Sequence, residues 1–163
     1  MAVVVRRATR DDADVVAEFA LKLVDQHREY DPQRFARLGD REGMRWFYGG
    51  QTEVDNAAVL VAEADGRIVG FAYLAYEERN YADMSMSAAK LHDIYVDDTF
   101  RGSGAGRQLL DVAIETARSF GAGKLILSVA AHNELGREFF EHAGFETTMY
   151  EMMLVLPASA KNV

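Results

Sequence analysis

The alternation of apolar and polar positions predicts a chain of strands and helices in mixed order. Apolar runs bounded by turn residues predict strands at 3–5, 57–64, 67–76, 90–96, 124–129 and 146–156. Apolar residues at helical spacing predict helices at about 13–30, 41–48, 104–120 and 134–142. Asp65-Gly66 between two apolar runs is typical of a tight hairpin. The polar stretch 77–87 is expected to be a loop that borders either the substrate site or a dimer contact, with Met84 and Met86 exposed or in a partner interface.

These elements fit one mixed α/β layer structure, because neither a repeat nor a linker interrupts them. The chain has 163 residues, which suits a single domain over 1–163. Asn133 is expected to cap the helix at 134–142.

One stretch, 94–110, carries a chemical signal. An apolar strand is followed by a polar turn, by Gly102, Gly104 and Gly106, and then by an amphipathic helix. Free N–H groups at a helix start suit phosphate, and glycine lets a ligand approach the backbone closely. The P-loop does not fit, because Arg107-Gln108 stands where Lys and Ser or Thr are needed. The dinucleotide fingerprint also fails, since a required glycine or alanine is missing in either register.

Arg101-x-x-Gly104-x-Gly106 directly after a strand resembles the pyrophosphate loop of the GNAT superfamily of acetyl-CoA-dependent N-acetyltransferases. A second motif of that family is matched by Asn133, followed by Phe140-Glu141 and Gly144-Phe145. Together the two motifs cover about 89–156. The resemblance implies a mostly antiparallel sheet of about six to seven strands with helices on both faces.

The resemblance also implies a set of cofactor-binding residues. Backbone N–H groups of the central strand would stabilise the thioester oxygen, where that strand splays from its neighbour. The implied acetyl-CoA residues are Ile94, Tyr95, Val96, Arg101, Gly102, Ser103, Gly104, Ala105, Gly106, Arg107, Asn133 and Phe140.

A lysine-like amine has a pKa of about 10.4, so it is protonated at neutral pH. Acetyl transfer to such an amine therefore requires a group that takes up a proton. His92 and Asp93 precede the central apolar run and are the candidates. Side chains alternate on a strand, so we expect the two to face opposite sides. The polyamine-acetylating branch of the family has Glu-Asp-x-x-Val here, and His92 stands where that branch has its glutamate base. Imidazole can accept a proton, but a structural role for either residue stays open.

The leaving thiolate benefits from a proton donor. Family members often place Tyr just before the Glu of the second motif, and this chain has Phe140 there, which cannot donate. Tyr150, Tyr95, His132 or a water are the candidate substitutes.

Composition limits the partners. A net charge of −8 argues against nucleic acid and is compatible with a cationic substrate. The absence of cysteine excludes disulfides, thiolate metal sites and a cysteine nucleophile, and it favours the cytoplasm. The apolar start at 1–5 is too short for a signal peptide or a membrane span. We expect no metal cofactor and no membrane partner.

The leading hypothesis is an N-acetyltransferase that moves acetyl from acetyl-CoA to a primary amine of a small molecule by direct attack in a ternary complex. The nearest pattern is the polyamine and small-amine branch. The alternatives are acetylation of a protein N-terminus or lysine, and a non-catalytic module that binds acyl-CoA. A homodimer is possible by analogy with the family.

Overall fold

The computed structural model describes residues 2–158 and divides the chain into two units. One unit combines the residues up to 23 with 38–128, and the other combines 24–37 with the residues from 129 onward. The sheet lies in the first unit. The prediction of a single domain over 1–163 stays a prediction.

The first unit is built on a five-stranded sheet in which the spatial order of the strands follows the chain. The pairs β1–β2, β2–β3 and β3–β4 are antiparallel, and β5 runs parallel to β4. The bounds are β1 Val3–Arg7, β2 Ala57–Ala64, β3 Arg67–Asn80, β4 Ser85–Val96 and β5 Lys124–Leu127. Asp65 and Gly66 both adopt positive φ in the turn between β2 and β3, which is the geometry a two-residue hairpin needs.

The four α-helices begin and end close to the predicted positions. Their bounds are α1 Ala13–Tyr30, α2 Arg41–Gln51, α3 Ala105–Ser119 and α4 Glu134–His142. Helix α1 ends directly before Asp31-Pro32, and Asp40 caps α2 by accepting a hydrogen bond from the Gly43 N–H at 2.7 Å. None of the helices that the structure describes combines the length and apolar character that a membrane crossing requires.

Helices cover both faces of the sheet, as the resemblance implied. Val59 and Val61 of β2 pack with Val16 and Phe19 of α1 on one face. The alternate residue Leu60 points to the other face, which Arg7 shares because the two are cross-strand partners. The Arg7 guanidinium lies 5.5 Å from the ring of Phe120, at the end of α3. Helix α3 therefore packs on the Leu60 face, where its own buried side chains are Ala105, Leu109, Leu110, Ala113 and Ala117.

The prediction of six to seven strands is wrong for the described residues, because the sheet has five. The strand predicted at 146–156 does not form there, although its residues have high strand propensity. A strand is stable only when a neighbouring strand accepts its backbone hydrogen bonds, and propensity alone does not provide that neighbour.

The loop predicted at 77–87 is also wrong, because β3 and β4 extend into it as a long hairpin. Pairs such as Arg79–Met86 continue the ladder almost to the turn. The Asn80 side chain accepts a hydrogen bond from the Asp83 N–H at 3.0 Å, which stabilises the turn. Met84 and Met86 are exposed on the single chain.

A close backbone approach between β3 and β4 predicts the effect of replacing Gly70. A Cβ on Gly70 would lie 2.6 Å from the Tyr95 carbonyl oxygen, so Gly70→Ala should destabilise the protein by about 1–3 kcal/mol. The matched control is Gly50→Ala in α2, where an added Cβ meets nothing within 4 Å. That change should be neutral or stabilising. Urea unfolding of both variants checks this, and equal stabilities would contradict the account.

Candidate active site

The pairing of β3 with β4 contains one irregularity, and it falls on the predicted catalytic residues. Tyr73 pairs with Asp93, but the next residue, Leu74, pairs with Leu91. His92 is therefore the extra residue of a β-bulge. A bulge locally breaks the alternation of side chains and redirects them.

Both His92 and Asp93 consequently approach the same pair of tyrosines. The Tyr48 hydroxyl donates a hydrogen bond to Asp93 Oδ2 at 2.9 Å. The His92 imidazole stacks on the Tyr73 ring, with centroids 5.1 Å apart and planes inclined by 21°. The rings of Tyr48 and Tyr73 are themselves 5.8 Å apart. The prediction that His92 and Asp93 face opposite sides is wrong, because the bulge brings them to one side.

The environment of this cluster favours a neutral imidazole. The pKa of His92 is lowered from its ordinary value, because packing removes part of its hydration and because Lys90 is a nearby positive charge. The charge of Glu77 opposes this shift. A lowered pKa leaves more of the imidazole unprotonated at neutral pH, which is the form that accepts a proton.

The pKa values of the two tyrosines, Tyr48 and Tyr73, are shifted upward instead. Burial, and then the charge of Asp93, hold the pKa of Tyr48 well above its usual range. The same two causes raise the pKa of Tyr73, whose hydroxyl donates a hydrogen bond to the Gln51 side chain at 3.1 Å. Both phenols therefore stay protonated and act as donors. Tyr48 connects helix α2 directly to the carboxylate on β4.

A tight turn connects β4 to the glycine segment. Asp97 accepts hydrogen bonds from the Thr99 N–H at 3.1 Å and from the Thr99 hydroxyl at 2.7 Å. The Asp97 carboxylate also lies 3.2 Å from Lys22 Nζ of α1. Phe100 is buried under the Arg67 guanidinium, 4.9 Å from the ring centroid. These contacts fix the chain just before the predicted phosphate loop.

The loop itself has the backbone that its glycines permit. Gly102 and Gly104 have φ of 78° and 89°, and an added Cβ at either position would meet nothing within 4 Å. Gly104 is the N-cap of α3, so the first N–H groups of that helix open onto the same space. Arg101 and Arg107 form exposed ion pairs with Asp98 at 2.7 Å and Asp111 at 2.9 Å. Exposed pairs of this kind contribute little stability, so an anionic ligand can replace the carboxylates.

Between the loop and the bulge, one edge of β4 is open. The ladder between β4 and β5 ends at the pair Leu91–Leu127. Within the described part of the sheet, the five residues from His92 to Val96 therefore have no strand partner on that edge. The ladder therefore ends before Ile94, Tyr95 and Val96, at the place where the resemblance implies that the central strand splays from its neighbour. The Tyr95 side chain is buried against Phe19, with ring centroids 5.5 Å apart.

The second unit contains the remaining predicted residues. Asn133 caps α4 by accepting a hydrogen bond from the Gly136 N–H at 2.9 Å, as predicted. Phe140 is buried, and its ring lies 5.7 Å from that of Phe145. Tyr150 is 87% exposed. The roles given to Asn133, Phe140 and Tyr150 in cofactor binding or catalysis stay predictions.

Sequence reasoning missed Tyr48, Tyr73 and Gln51. Each looks like ordinary core or helix surface in the sequence, and only the register of β3 with β4 and the placement of α2 bring them to Asp93 and His92. Among the described residues, no group of three or more His, Asp or Glu side chains is arranged to hold a metal ion.

Comparison with known proteins identifies the family of the chain. The sequence pattern of the acetyltransferase (GNAT) family matches residues 20–145. An uncharacterized N-acetyltransferase of Bacillus subtilis, YhfO, is 30% identical over 143 residues, which cover 87% of this chain and 89% of YhfO. An uncharacterized N-acetyltransferase of Methanocaldococcus jannaschii is 29% identical over 147 residues; the match covers 87% of this chain but only 60% of that protein's length.

A solved structure supports the fold. AAC(6')-Iy, in complex with the bisubstrate analog CoA-S-monomethyl-acetylneamine, superposes with a TM-score of 0.73 at 18% identity. The match covers 97% of this chain and all of that one.

The hydrogen bond from Tyr48 to Asp93 predicts a difference between two Tyr→Phe variants. Tyr48→Phe removes a buried donor to a carboxylate and should cost about 1.5–3 kcal/mol of stability. Tyr73→Phe removes a donor to the neutral Gln51 amide and should cost only about 0.5–1.5 kcal/mol. Urea unfolding of both variants measures this. A cost for Tyr48→Phe no larger than that for Tyr73→Phe would contradict the assigned bond.

Proposed function

We propose that this chain, which belongs to the GNAT family of acetyltransferases, transfers acetyl from acetyl-CoA to a primary amine of a small molecule. The observation that carries the proposal is the open edge of β4. It connects the phosphate-type loop at the start of α3 with His92 and Asp93 in one unit of the chain. A thioester arm and an amine could therefore meet at the bulge.

The loop supplies the contacts for the pyrophosphate of CoA. The N–H groups at the start of α3 and the positive end of the helix dipole suit a phosphate anion. Arg101, Arg107 and Ser103 add side-chain donors beside Gly102, Gly104, Ala105 and Gly106. Backbone N–H groups of Ile94, Tyr95 and Val96 would face the thioester oxygen, where charge develops during attack. Acetyl-CoA supplies the acetyl group, and its thiol is the leaving group.

His92 is the proposed proton acceptor for the amine, directly or through a water. Its lowered pKa keeps it unprotonated near neutral pH, and it is exposed enough to reach a substrate. Asp93 is the second candidate. Its carboxylate, held by Tyr48, lies on the same side and can attract the cationic form of the amine before deprotonation.

Departure of the thiol does not require a strong acid. A CoA thiol is expected to have a pKa near that of cysteine, about 8.5, so its thiolate is an adequate leaving group. Phe140 stands where a tyrosine donor is common, and we assign no donor role to it. Tyr150 stays the candidate substitute.

A small-molecule acceptor is favoured over a protein by the nature of the proposed proton acceptor and by similarity. His92 stands at the position of the base in the polyamine-acetylating pattern, and a mycothiol acetyltransferase of Cellulomonas flavigena is among the relatives, 27% identical. The acidic net charge of −8 suits a cationic amine. We place the enzyme in the cytoplasm on the absence of cysteine.

The direct test is release of free thiol from acetyl-CoA in the presence of polyamines, aminoglycosides, amino acids and peptides. Turnover with a small amine, with intersecting initial-rate lines, supports direct transfer in a ternary complex. Turnover only with peptides favours the protein-acetylating alternative. CoA binding without turnover of any amine favours the non-catalytic module.

Replacing Gly104 should abolish CoA binding without unfolding the protein. Gly104→Val places a branched side chain in the space before α3, whereas Gly121→Val changes the glycine just after the same helix. Both glycines have φ near 90°, and an added Cβ meets nothing within 4 Å at either one, so the backbone strain is matched. Calorimetric titration should show affinity lost in the first variant and kept in the second. Equal affinities would place the cofactor elsewhere.

His92→Ala should lower kcat/KM by about 10²–10⁴ and remove the acidic limb of its pH profile. In the native enzyme that limb should lie below pH about 6.5, because the pKa of His92 is lowered from its ordinary value. The control is Lys90→Met. Removing that positive charge should move the limb to higher pH while His92 remains.

If His92→Ala keeps both the rate and the limb, His92 is structural and Asp93 becomes the preferred base. If the acidic limb does not move in the Lys90→Met variant, the limb does not report the protonation of His92.

A further inference from the structure

The turn before the cofactor loop places two carboxylates next to the proposed anion site. Asp97 and Asp98 come shortly before Arg101 and the glycines of the loop. Asp98 pairs with Arg101 at 2.7 Å, and Asp97 Oδ2 accepts a hydrogen bond from Lys22 Nζ at 3.2 Å. An unpaired carboxylate at this position would repel the pyrophosphate of CoA, because both are negatively charged. The cation beside each carboxylate therefore matters for the ligand.

Lys22 reaches this turn from α1, 75 residues away in the chain. Within the part of the chain that the structure describes, it is the only cation within ion-pair distance of Asp97. Its ammonium lies 5.4 Å from the centre of the Phe19 ring, and that ring packs against Tyr95 with centroids 5.5 Å apart. Lys22 Nζ also lies 3.6 Å from Glu18 Oε1, one turn earlier on the helix. Buried aromatic side chains thus help to place the ammonium beside the turn.

The two carboxylate oxygens of Asp97 have different partners. Oδ1 accepts hydrogen bonds from the N–H and the hydroxyl of Thr99, at 3.1 Å and 2.7 Å, and Oδ2 accepts the one from Lys22. The Asp97 N–H donates to the Val69 carbonyl at 2.8 Å, so β3 holds its backbone. The hydrogen bonds from Thr99, and then Lys22, lower the pKa of Asp97. The turn is therefore built on an acceptor that is ionised at neutral pH.

The phenol of Tyr95 shows that these charges form one group. Its pKa is raised first by burial and then by Asp98, and Asp97 adds to the shift, whereas Lys22 and Arg101 oppose it. Two carboxylates and two cations therefore lie around a single hydroxyl at the end of β4. Their charges balance only while both cations are present.

We propose that Lys22 is a positioning residue for CoA, which acts through Asp97 by cancelling the charge that this carboxylate would otherwise present to the pyrophosphate. The inference rests on the proposed function, because it concerns the cofactor of that reaction. When the pyrophosphate takes Arg101 from Asp98, Lys22 is the cation of the group that stays with the carboxylates. Since Lys22 is partly exposed, its ion pair contributes little to stability, and its effect appears in ligand affinity.

Calorimetric titration with CoA at low ionic strength tests the proposal. Lys22→Met should weaken CoA binding about tenfold, as one uncancelled charge near a pyrophosphate would. Lys22→Arg keeps the charge and should recover most of the affinity. The matched control is Arg10→Met, which breaks another exposed ion pair, with Glu53 at 2.6 Å, and changes the net charge by the same amount. It should bind CoA as the native chain does, and urea unfolding should show Lys22→Met to be nearly as stable as the native chain.

A second substitution separates the charge of Asp97 from its structural role. In the double variant Lys22→Met with Asp97→Asn, the amide oxygen can still accept hydrogen bonds from Thr99 but carries no charge, so CoA affinity should return most of the way to the native value. Raising the ionic strength from about 0.01 M to about 1 M shortens the screening length from about 30 Å to about 3 Å and should remove most of the Lys22→Met defect. A purely structural role for Lys22 predicts that neither change restores the ratio of the two affinities.

Steady-state rates provide a further readout. With an amine that the enzyme acetylates, Lys22→Met should raise the KM for acetyl-CoA and leave kcat and the KM for the amine nearly unchanged. Native CoA affinity in Lys22→Met, or a defect that persists in the double variant and at high salt, overturns the inference while the proposed function stands. A native chain that binds no CoA overturns the proposed function, and the inference fails with it.

Discussion

The irregular pairing of β3 with β4 is the constraint from which the candidate site follows. In a regular ladder, His92 and Asp93 would lie on opposite faces of the sheet, and only one could reach a given substrate. The extra residue at the bulge places His92 against Tyr73 and leaves Asp93 within hydrogen-bond distance of Tyr48. An imidazole and a carboxylate then share one side of the strand, and under the proposed function one would attract the amine and the other would take its proton.

Under the proposed function, the same strand would also give a long cofactor access to a packed sheet. Strand β4 is paired with β3 along almost its whole length, but its ladder with β5 stops at Leu91. Beyond that point one edge of the strand is open while the other is held. The strand then enters the turn at Asp97, which hydrogen bonds to Thr99 fix before the chain reaches Gly104 and α3. Strand β4 is thus held by β3 on one edge, and on the other edge its backbone groups beyond Leu91 would be available to a bound cofactor.

Most of the fold could be predicted from the sequence because its signals are local. The Asp65-Gly66 turn, the stop before Pro32 and the Asn133 cap each depend on residues close together in the chain. The glycine loop was recognisable for the same reason. What the sequence could not show depends on pairing between distant segments. The bulge at His92 requires the register of two strands, and the donor role of Tyr48 requires the placement of α2 against β4.

The error at 146–156 has the same origin. Its apolar run favours a strand, but a strand also needs a neighbouring strand to pair with, and the described sheet ends at β5 without this segment.

The most direct test of the account is a crystal structure of the protein with CoA. We expect the pyrophosphate within hydrogen-bond distance of the backbone N–H groups at the start of α3, next to Gly104. We expect the pantetheine arm along the open edge of β4 and the thiol on the side of the strand that carries His92 and Asp93. A pyrophosphate bound away from this loop, or a thiol on the opposite face of β4, would contradict the central claim that the bulge and the open edge form one acetyl-transfer site.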